Sequence, residues 1–293
     1  MWNYSHVDEF AKRLVPDGLW EIVEPLIPAS PKRVQGGGIP RADDRAVFCA
    51  IVFVLTSRCA WRHLPPDFGV SHQTAHRRFT EWSEAALWAK LHRAVLDRLG
   101  AAGEIDWSRA IVDAASMRAK KGSLTGPNPV DRGKAGSKIH VLTDRNGLPL
   151  ALGISAANLH DSQALEPLVQ GIPKIRSRRG PRRRKPAKLH ADKAYDIPDC
   201  HWALRERRIG DRIVRRGIES SARLGRHRWA IERTIAWLGG YRRLTLRYER
   251  HGHLFAAFLA LAAAITCYKK LTNCGKLSLR SSEACGVALP SSE

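Results

Sequence analysis

The sequence predicts an α/β protein in which a mixed sheet with flanking helices is preceded by an all-α segment. Three observations carry this. Residues 1–103 show helical spacing and no strand alternation. From Trp107 onward the pattern becomes short apolar runs bounded by turn residues. Beyond these runs helical and strand patterns alternate, which places helices on the faces of a sheet.

The N-terminal elements follow in order. Leu19, Ile22, Val23 and Leu26 recur at helical spacing, and the segment ends at Pro28 ahead of the loop Gly36-Gly37-Gly38-Ile39-Pro40. Asp43 or Asp44 opens a second helix, Arg45 to Ser57. Trp61 to Gly69 reads as a tight turn, and Ser71 as the N-cap of a third helix, His72 to Ala85. The first turns of that helix carry Ser71, His72, Gln73, Thr74, His76, Arg77 and Arg78, the pattern of a helix-turn-helix reader of double-stranded DNA. Any small helical bundle also has basic polar faces, so the competing reading is a solvated surface. Trp82 and Trp88 are assigned to packing within the bundle.

Strands follow. Ile111 to Ala114 is one; Ile139 to Thr143 and Leu148 to Ile154 are two more, joined through Asn146-Gly147, a strong hairpin signal. Asn158 or Asp161 can cap a helix through Val169. A basic loop then leads to the strand that closes at Asp192, a helix over Pro198 to Arg207, a short strand from Asp211 to Arg215, and a helix carrying Glu232. Three strands in hairpin order, followed by alternating helices and strands, is the order of a ribonuclease-H-like fold. The organisation expected is a helical DNA-binding domain over 1–103, a ribonuclease-H-like domain over 104–271 and a disordered tail over 272–293, where Ser, Gly and Thr replace large apolar groups.

Composition narrows the function. The chain has 293 residues with 49 Lys+Arg against 28 Asp+Glu, a net charge of +21. Such an excess calls for a polyanion, and neutralising phosphates with Lys and Arg releases counterions, so nucleic acid is the expected partner. Six cysteines are scattered with no Cys-x-x-Cys pair, which suggests neither a zinc site nor a disulfide framework and fits a reducing cytoplasm. Met1 to Glu24 mixes charges through its apolar positions, unlike a signal peptide. The most apolar stretch, Leu254 to Ile265, is shorter than the roughly 20 residues of a bilayer span and reads as a core helix ending near Lys269 and Lys270, with no membrane partner. The densest charge run, Lys174 to Lys188, holds nine cations in fifteen residues and no acid. With Gly180, Pro181 and Pro186 it forms a loop, and Arg182, Arg183, Arg184 and Lys185 are its candidate phosphate contacts.

Three carboxylates stand apart. Asp113 lies in the apolar run Ala110 to Ala115, where desolvation disfavours its charge unless a cation compensates; a buried ion pair is the structural alternative. Asp192 sits where an apolar strand ends, a usual place for ligand contacts in α/β sheets. Asp196 is a rival read as a helix cap, and Asp144 is a turn residue. Glu232 is one position off the core stripe Ile231, Ile235, Leu238, with Arg228 four residues earlier on the same face, placed to orient the carboxylate or hold a phosphate. An ordinary helix ion pair is the competing reading.

Asp113, Asp192 and Glu232, 79 and 40 residues apart, resemble the acidic triad of DDE transposases of bacterial insertion sequences. The similarity extends to Ile111-Val112-Asp113, Gly136-Ser137-Lys138-Ile139-His140, Ala157-Asn158-Leu159-His160-Asp161, Ala191-Asp192-Lys193-Ala194-Tyr195-Asp196, the segment Arg228 to Leu238, and an N-terminal block from Leu19-Trp20 through Trp61-Arg62-His63-Leu64-Pro65 to Arg77-Arg78-Phe79. It covers about residues 10–271 and is to insertion-sequence family five, within the four/five superfamily. The resemblance implies two Mg²⁺ ions, with Mn²⁺ able to substitute, bridged by the three acids. They serve cleavage at element ends and attack of the freed 3′-hydroxyl on target DNA. It also implies a homodimer or larger assembly holding two ends, in a bacterial cytoplasm on the nucleoid. The sequence departs from the Tyr-x2-Arg-x3-Glu-x6-Lys signature of relatives: Gly225 replaces the Tyr and Gly239 the Lys, with Tyr241, Arg242 and Arg243 nearby as stand-ins. A DNA-binding protein without catalysis and a ribonuclease-H-like nuclease without strand transfer are the alternatives.

Overall fold

The apolar spacing near the N-terminus becomes helices α1 (Asp17–Val23), α2 (Asp44–Ser57), α3 (His72–Glu84) and α4 (Leu87–Ala102). The computed structural model describes residues 9, 11–29, 41–215, 217 and 222–284. Asp43 starts α2 by accepting a hydrogen bond from the Ala46 amide at 2.8 Å, and Ser71 starts α3 through the Thr74 amide at 3.2 Å. The connection between α2 and α3 is not the tight turn expected. It spans residues 58–71 and contains two 3₁₀ turns, Trp61–His63 and Pro66–Phe68, which bring Phe68 against Phe53 and Trp61 against Phe79. Aromatic packing thus sets the angle between these helices, where a helix-turn-helix uses a turn of three or four residues.

The strands are β1 (Ala110–Ala119), β2 (Gly126–Pro127), β3 (Ala135–Asp144), β4 (Pro149–Ala156), β5 (Lys188–Ala191), β6 (Gly210–Ile213) and β7 (Leu246–Arg247). They form one mixed sheet. β1 is central, antiparallel to β3 on one side and parallel to β5 on the other, with β4 outside β3 and β6 outside β5. β2 pairs with the start of β3, and β7 runs parallel to the end of β1. Asn146-Gly147 makes the β3–β4 hairpin as expected, with Gly147 at φ 85°. This is the ribonuclease-H-like order read from the sequence.

Helices α5 (Leu165–Gly171), α6 (Pro198–Glu206), α7 (Ala222–Gly239) and α8 (Gly252–Ala284) complete the chain. The segment before α5 opens as a 3₁₀ turn over Asp161–Ala164, capped by the His160 ring accepting from the Ser162 amide, where Asn158 or Asp161 was expected to cap. α8 runs on to Ala284, into the segment expected to be disordered; residues 285–293 lie outside the described residues. Lys276, Leu277, Leu279 and Arg280 are good helix formers, and the single Gly275 costs only about 1 kcal/mol, so the helix propagates and Lys269 and Lys270 fall in its interior.

α8 decides how the chain packs. Over Gly252–Asn273 it has 22 residues, longer than the apolar run read from the sequence; its most apolar 18-residue window has a mean hydropathy of 1.6, and 67% of that window is buried inside the protein. It is a core helix lying against α3, α4 and β4. Phe258 stacks on Phe79 at 4.2 Å between ring centroids, and His92 of α4 donates from Nε2 to the Pro149 carbonyl of β4 at 2.9 Å. Arg243 and Glu249, both buried, pair at 2.7 Å, and Arg243 also donates to the Cys59 carbonyl at the end of α2. One continuous set of buried apolar side chains therefore runs from Val15 to Tyr268, through the N-terminal helices and the sheet alike.

Candidate active site

Strand register brings two of the acids together. Ile111 of β1 is paired with His190 of the parallel strand β5, so two residues further on Asp113 and Asp192 stand side by side. Asp113 sits within β1; Asp192 follows β5 and caps a 3₁₀ turn by accepting from the Ala194 amide at 2.9 Å. Helix α7 lies over β1 and β3 with Ala230, Ile231, Thr234 and Leu238 buried. Its rotation is fixed by the β3–β4 hairpin, where Thr234 Oγ1 donates to the Gly147 carbonyl and Arg233 Nη2 to the Asn146 carbonyl, both at 2.6 Å. That rotation leaves Glu232 at the border of core and solvent, its side chain 59% exposed, and turns Arg228 toward the sheet.

Arg228 joins the acids. Its Nη2 is 3.4 Å from Asp113 Oδ2, and its Nε is 3.1 Å from Glu232 Oε1. The second approach is an ion pair without hydrogen-bond alignment, since the buried Nε makes no hydrogen bond. A small cleft is lined by Ile111, Val112, Asp113, Ala191, Asp192 and Arg228. Asp113 is 15% exposed and accepts from the Ala114 amide at 2.8 Å. Burial pushes its carboxyl above the ordinary range; the Ala114 amide and Arg228 oppose this, while the charges of Asp192 and Glu232 push it further up. The charges of Asp192 and Glu232 thus bear on Asp113 beside a cleft that holds one guanidinium. Among the described residues no group of three or more His, Cys, Asp or Glu side chains stands close enough together to hold a metal ion. The donor set nevertheless fits a hard divalent cation: carboxylate oxygens only, like charges crowded together, and a cationic group seated between them.

The rival acids have other partners. Asp144 is fully buried and accepts three backbone N–H bonds, from Asp106, Asn146 and Leu148, as a turn residue does. Asp196 is not the helix cap expected, because Ile197 occupies the cap position of α6; Asp196 pairs instead with His201 Nε2 at 2.9 Å. Of the three stand-ins for the missing signature residues, Arg242 is exposed and the other two are committed elsewhere. Tyr241 is buried with its hydroxyl on Thr266, and Arg243 is committed to Glu249. Gly239 ends α7 with open space where a side chain would be.

Sequence reasoning missed Tyr195. Its hydroxyl is buried without a hydrogen-bond partner, and burial together with the carboxylates of Asp161, Asp113 and Asp192 pushes its ionisation up. Asp161 pairs with Lys138 at 2.8 Å. The strings around Lys138 and Asp161 thus flank the acids, and Tyr195 lies inside the quoted Asp192 string; these strings were the only signal.

The candidate DNA contacts divide. Ser71, Gln73, His76 and Arg77 are exposed on α3, with His72 and Thr74 half-buried. Arg78 is a correction: its side chain is 7% exposed and paired with Glu81 at 3.3 Å, on the face of α3 that enters the core, so it cannot reach a base edge. Residues 174–188 form an exposed loop pinned at several points. Arg182 is held on Asp97 at 2.7 Å, Arg183 packs over the Trp107 ring, and Arg184 donates to the Gln170 carbonyl at 3.1 Å; Lys185 is exposed.

Comparison with known proteins gives the family. Residues 108–267 match the family model described as the transposase DDE domain, and residues 15–92 match the model for transposases of the IS4/5 family. The chain is 42% identical over 163 residues to a transposase for insertion sequence element IS402 of Burkholderia cepacia, an alignment covering 56% of this chain and 76% of that protein. It is 34% identical over 83 residues to the transposase for insertion sequence element IS1106 of Neisseria meningitidis serogroup B, covering 28% of this chain and 25% of that one. Among solved structures it aligns with a piggyBac transposase synaptic complex with hairpin DNA, at a TM-score of 0.42 and 9% identity, over 92% of this chain and 76% of that chain.

Proposed function

The chain belongs to the DDE transposases of the IS4/5 family, and on that premise we propose that it binds the terminal inverted repeats of its insertion sequence, cuts there and joins the freed 3′ ends to target DNA. The observation that carries this reading is the seating of Arg228 between Asp113 and Glu232, over a cleft shared with Asp192. Those acids would hold Mg²⁺, or Mn²⁺ in its place. When bound, such ions lower the pKa of an attacking water or 3′-hydroxyl and stabilise the leaving oxygen.

The chain's own residues supply position and charge. Asp113 and Asp192 are fixed by strand register and by backbone donors, so their carboxylates keep one geometry. Glu232 is on a helix and more exposed, which lets it complete the set last. Arg228, seated between Asp113 and Glu232, would offer its guanidinium to a phosphate at the same cleft, where such a group binds strongly. Gln73 and Arg77 of α3 face solvent and suit contacts to the repeat. The basic loop 174–188 supplies sequence-independent attraction. Two ends must be cut together, so the working form is a homodimer or larger, acting on DNA in a bacterial cytoplasm.

The test is purified protein with Mg²⁺ or Mn²⁺ and a duplex carrying the element's end. Asp113→Asn, Asp192→Asn and Glu232→Gln should each abolish cleavage and strand transfer while leaving end binding within about threefold, since about 0.65 kcal/mol is such a factor. A variant that cuts at the native rate removes that residue from the set. Cleavage without joining to target DNA would leave a nuclease.

A further inference from the structure

Beside the acids lies a second group of side chains of the opposite character. Arg109 immediately precedes β1, Lys188 and His190 are on β5, Arg212 is on β6 and His227 is on α7. Register explains their meeting. Ile111 pairs with His190 and His190 with Arg212, so Arg109, Lys188, His190 and Arg212 belong to neighbouring rungs on the sheet face that α7 approaches. The His190 and His227 rings meet edge to face, 4.9 Å between centroids at 68°. Arg109 Nη1 is 2.7 Å from each ring nitrogen of His227 and donates to whichever is unprotonated. Arg109, His190 and His227 are half-buried, whereas Lys188 and Arg212 are exposed at the rim.

Such a group needs an explanation, because like charges crowded in a partly dry place repel. The triad does not supply it: Arg228 is the cation that contacts Asp113 and Glu232, and Arg109 is turned to a histidine instead. Burial, and after it the basic neighbours His227, Arg109, Arg212 and Lys188, push the His190 imidazole down to about 4, so it meets an anion as a neutral N–H donor. What the arrangement offers is several N–H donors converging from three strands and a helix. This is the donor set of an anion site, and on a DNA-cutting enzyme the anion is a backbone phosphate.

We propose that Arg109, His190 and His227, with Lys188 and Arg212 at the rim, form a phosphate subsite that grips the cut strand next to the scissile phosphate. The inference rests on the transposase reading given above. Its position follows from strand geometry. Along β5 His190 precedes Asp192 by two residues, and along β1 Ile111 precedes Asp113 by two, which is about 6.6 Å of strand. A DNA strand advances about 3.4 Å of axis per nucleotide, so the gripped phosphate lies one or two nucleotides from the one at the acids. Fixing that neighbour fixes which phosphodiester bond meets Asp113 and Asp192. The subsite is also where the basic loop ends: Lys188 is its last residue, and Arg183 packs over Trp107, two residues before Arg109. Phosphates held by the loop are therefore handed along one continuous basic track to the cleft.

The experiment uses the full chain and a series of end-containing duplexes, each with one uncharged methylphosphonate at a defined position of the cut strand. Native protein should cut the unmodified duplex, and one modification within two nucleotides of the cut should weaken binding about 10-fold, as expected for losing a charge-assisted contact. In Arg109→Gln and in Arg212→Gln that position should lose its effect, because the partner of the missing charge is already gone. Binding to unmodified DNA should fall by a similar factor in Arg109→Gln, with a salt slope shallower by about 0.9. Thermal unfolding and circular dichroism matched to native protein exclude misfolding, and if Arg109→Gln fails that control, Arg212→Gln, at an exposed site, decides alone. Retained sensitivity at that position in a folded variant overturns the subsite even though native protein cuts. Failure of native protein to cut any duplex overturns the transposase reading itself.

Discussion

Replacing Arg228 by Gln should tighten divalent-cation binding and slow cleavage at once. The guanidinium stands 3.4 Å from Asp113 and 3.1 Å from Glu232, where it serves as the counter-ion of a crowded acidic cleft. At 3.4 Å a unit pair is worth about 5 kcal/mol at an effective dielectric of about 20. The Arg228 side chain is 40% exposed, so solvent screens most of this, and about 1 kcal/mol is retained. Glu232, more exposed still, adds little. Gln keeps the length and some hydrogen bonding but returns the full repulsion to Asp113, Asp192 and Glu232. Metal-free Arg228→Gln should therefore melt about 2–4 °C lower than the native chain, the shift expected for about 1 kcal/mol in a domain of this size class. A cation no longer competes with the guanidinium and should bind about fivefold more tightly, because 1 kcal/mol is about that factor. Melting curves against Mn²⁺ and Mg²⁺ concentration, with calorimetry for affinity, read both effects. Asp113→Asn must show the opposite pattern, with little response to metal. Weaker metal binding in Arg228→Gln than in the native chain would show that Arg228 organises the acids for the metal instead of standing in its place, and would refute the reasoning.

Three further outcomes are expected. Phe258→Ala should lose about 3–5 kcal/mol, the usual loss for a buried Phe, because it empties the contact with Phe79 across which α8 meets the N-terminal helices; for the same reason a fragment of residues 1–103 should show no cooperative melting. Asp144, pushed up to about 6 by burial, holds its proton in the folded chain between pH 4 and 6 while the unfolded chain releases it, so this group contributes stability below pH 4 that is lost as pH rises through 6. The loss is about 3 kcal/mol, and Asp144→Asn should flatten the fall in melting temperature over that window without removing cleavage. Arg77→Ala, at an exposed site, should leave melting unchanged and make the salt slope of end binding shallower by about 0.9, whereas Arg78→Ala should lower the melting temperature first.

Much of the sheet, and the placement of Asp113, Asp192 and Glu232 near one another, was legible because the signals are local. Asn146-Gly147 sets the hairpin, apolar runs of strand length set β1, β3 and β4, and acids at the end of an apolar run or one step off a helical stripe are visible without any partner in view. What stayed hidden depends on partners far away in the chain. Arg78 looks like Arg77 on a helical wheel of charges, and both pair with Glu81, yet the Arg78 side chain is 7% exposed and that of Arg77 66%. The cap of the turn before α5 came from His160, a residue with no strong capping preference, which fits because its ring reaches the Ser162 amide. The connection between α2 and α3 was misread as tight because Pro65, Pro66 and Gly69 are turn residues, while the aromatic contacts that extend it lie on other elements. Tyr195 carries no pattern of its own, and only folding brings its hydroxyl near three carboxylates.

The packing of α8 bears on how recognition and cutting are joined. A flexible linker between a DNA reader and a nuclease would let one end of the element be cut at several positions. Here α3 carries the exposed Gln73 and Arg77 on one face and buries Phe79 and Trp82 with the other, and Phe79 is stacked on α8. α8 in turn lies on β4, which pairs with β3, which pairs with β1 and its Asp113. Each link is buried, and close-packed interiors transmit displacement with little give. The distance from the base contacts proposed for α3 to the carboxylate of Asp113 is therefore set by the core itself. Cut position then follows from rigid geometry, and a core change such as Phe258→Ala should blur the position of the cut as well as lower stability. Native stability loss with a sharply unchanged cut site, read at nucleotide resolution, would show that DNA itself, and not the shared core, keeps the two surfaces in register.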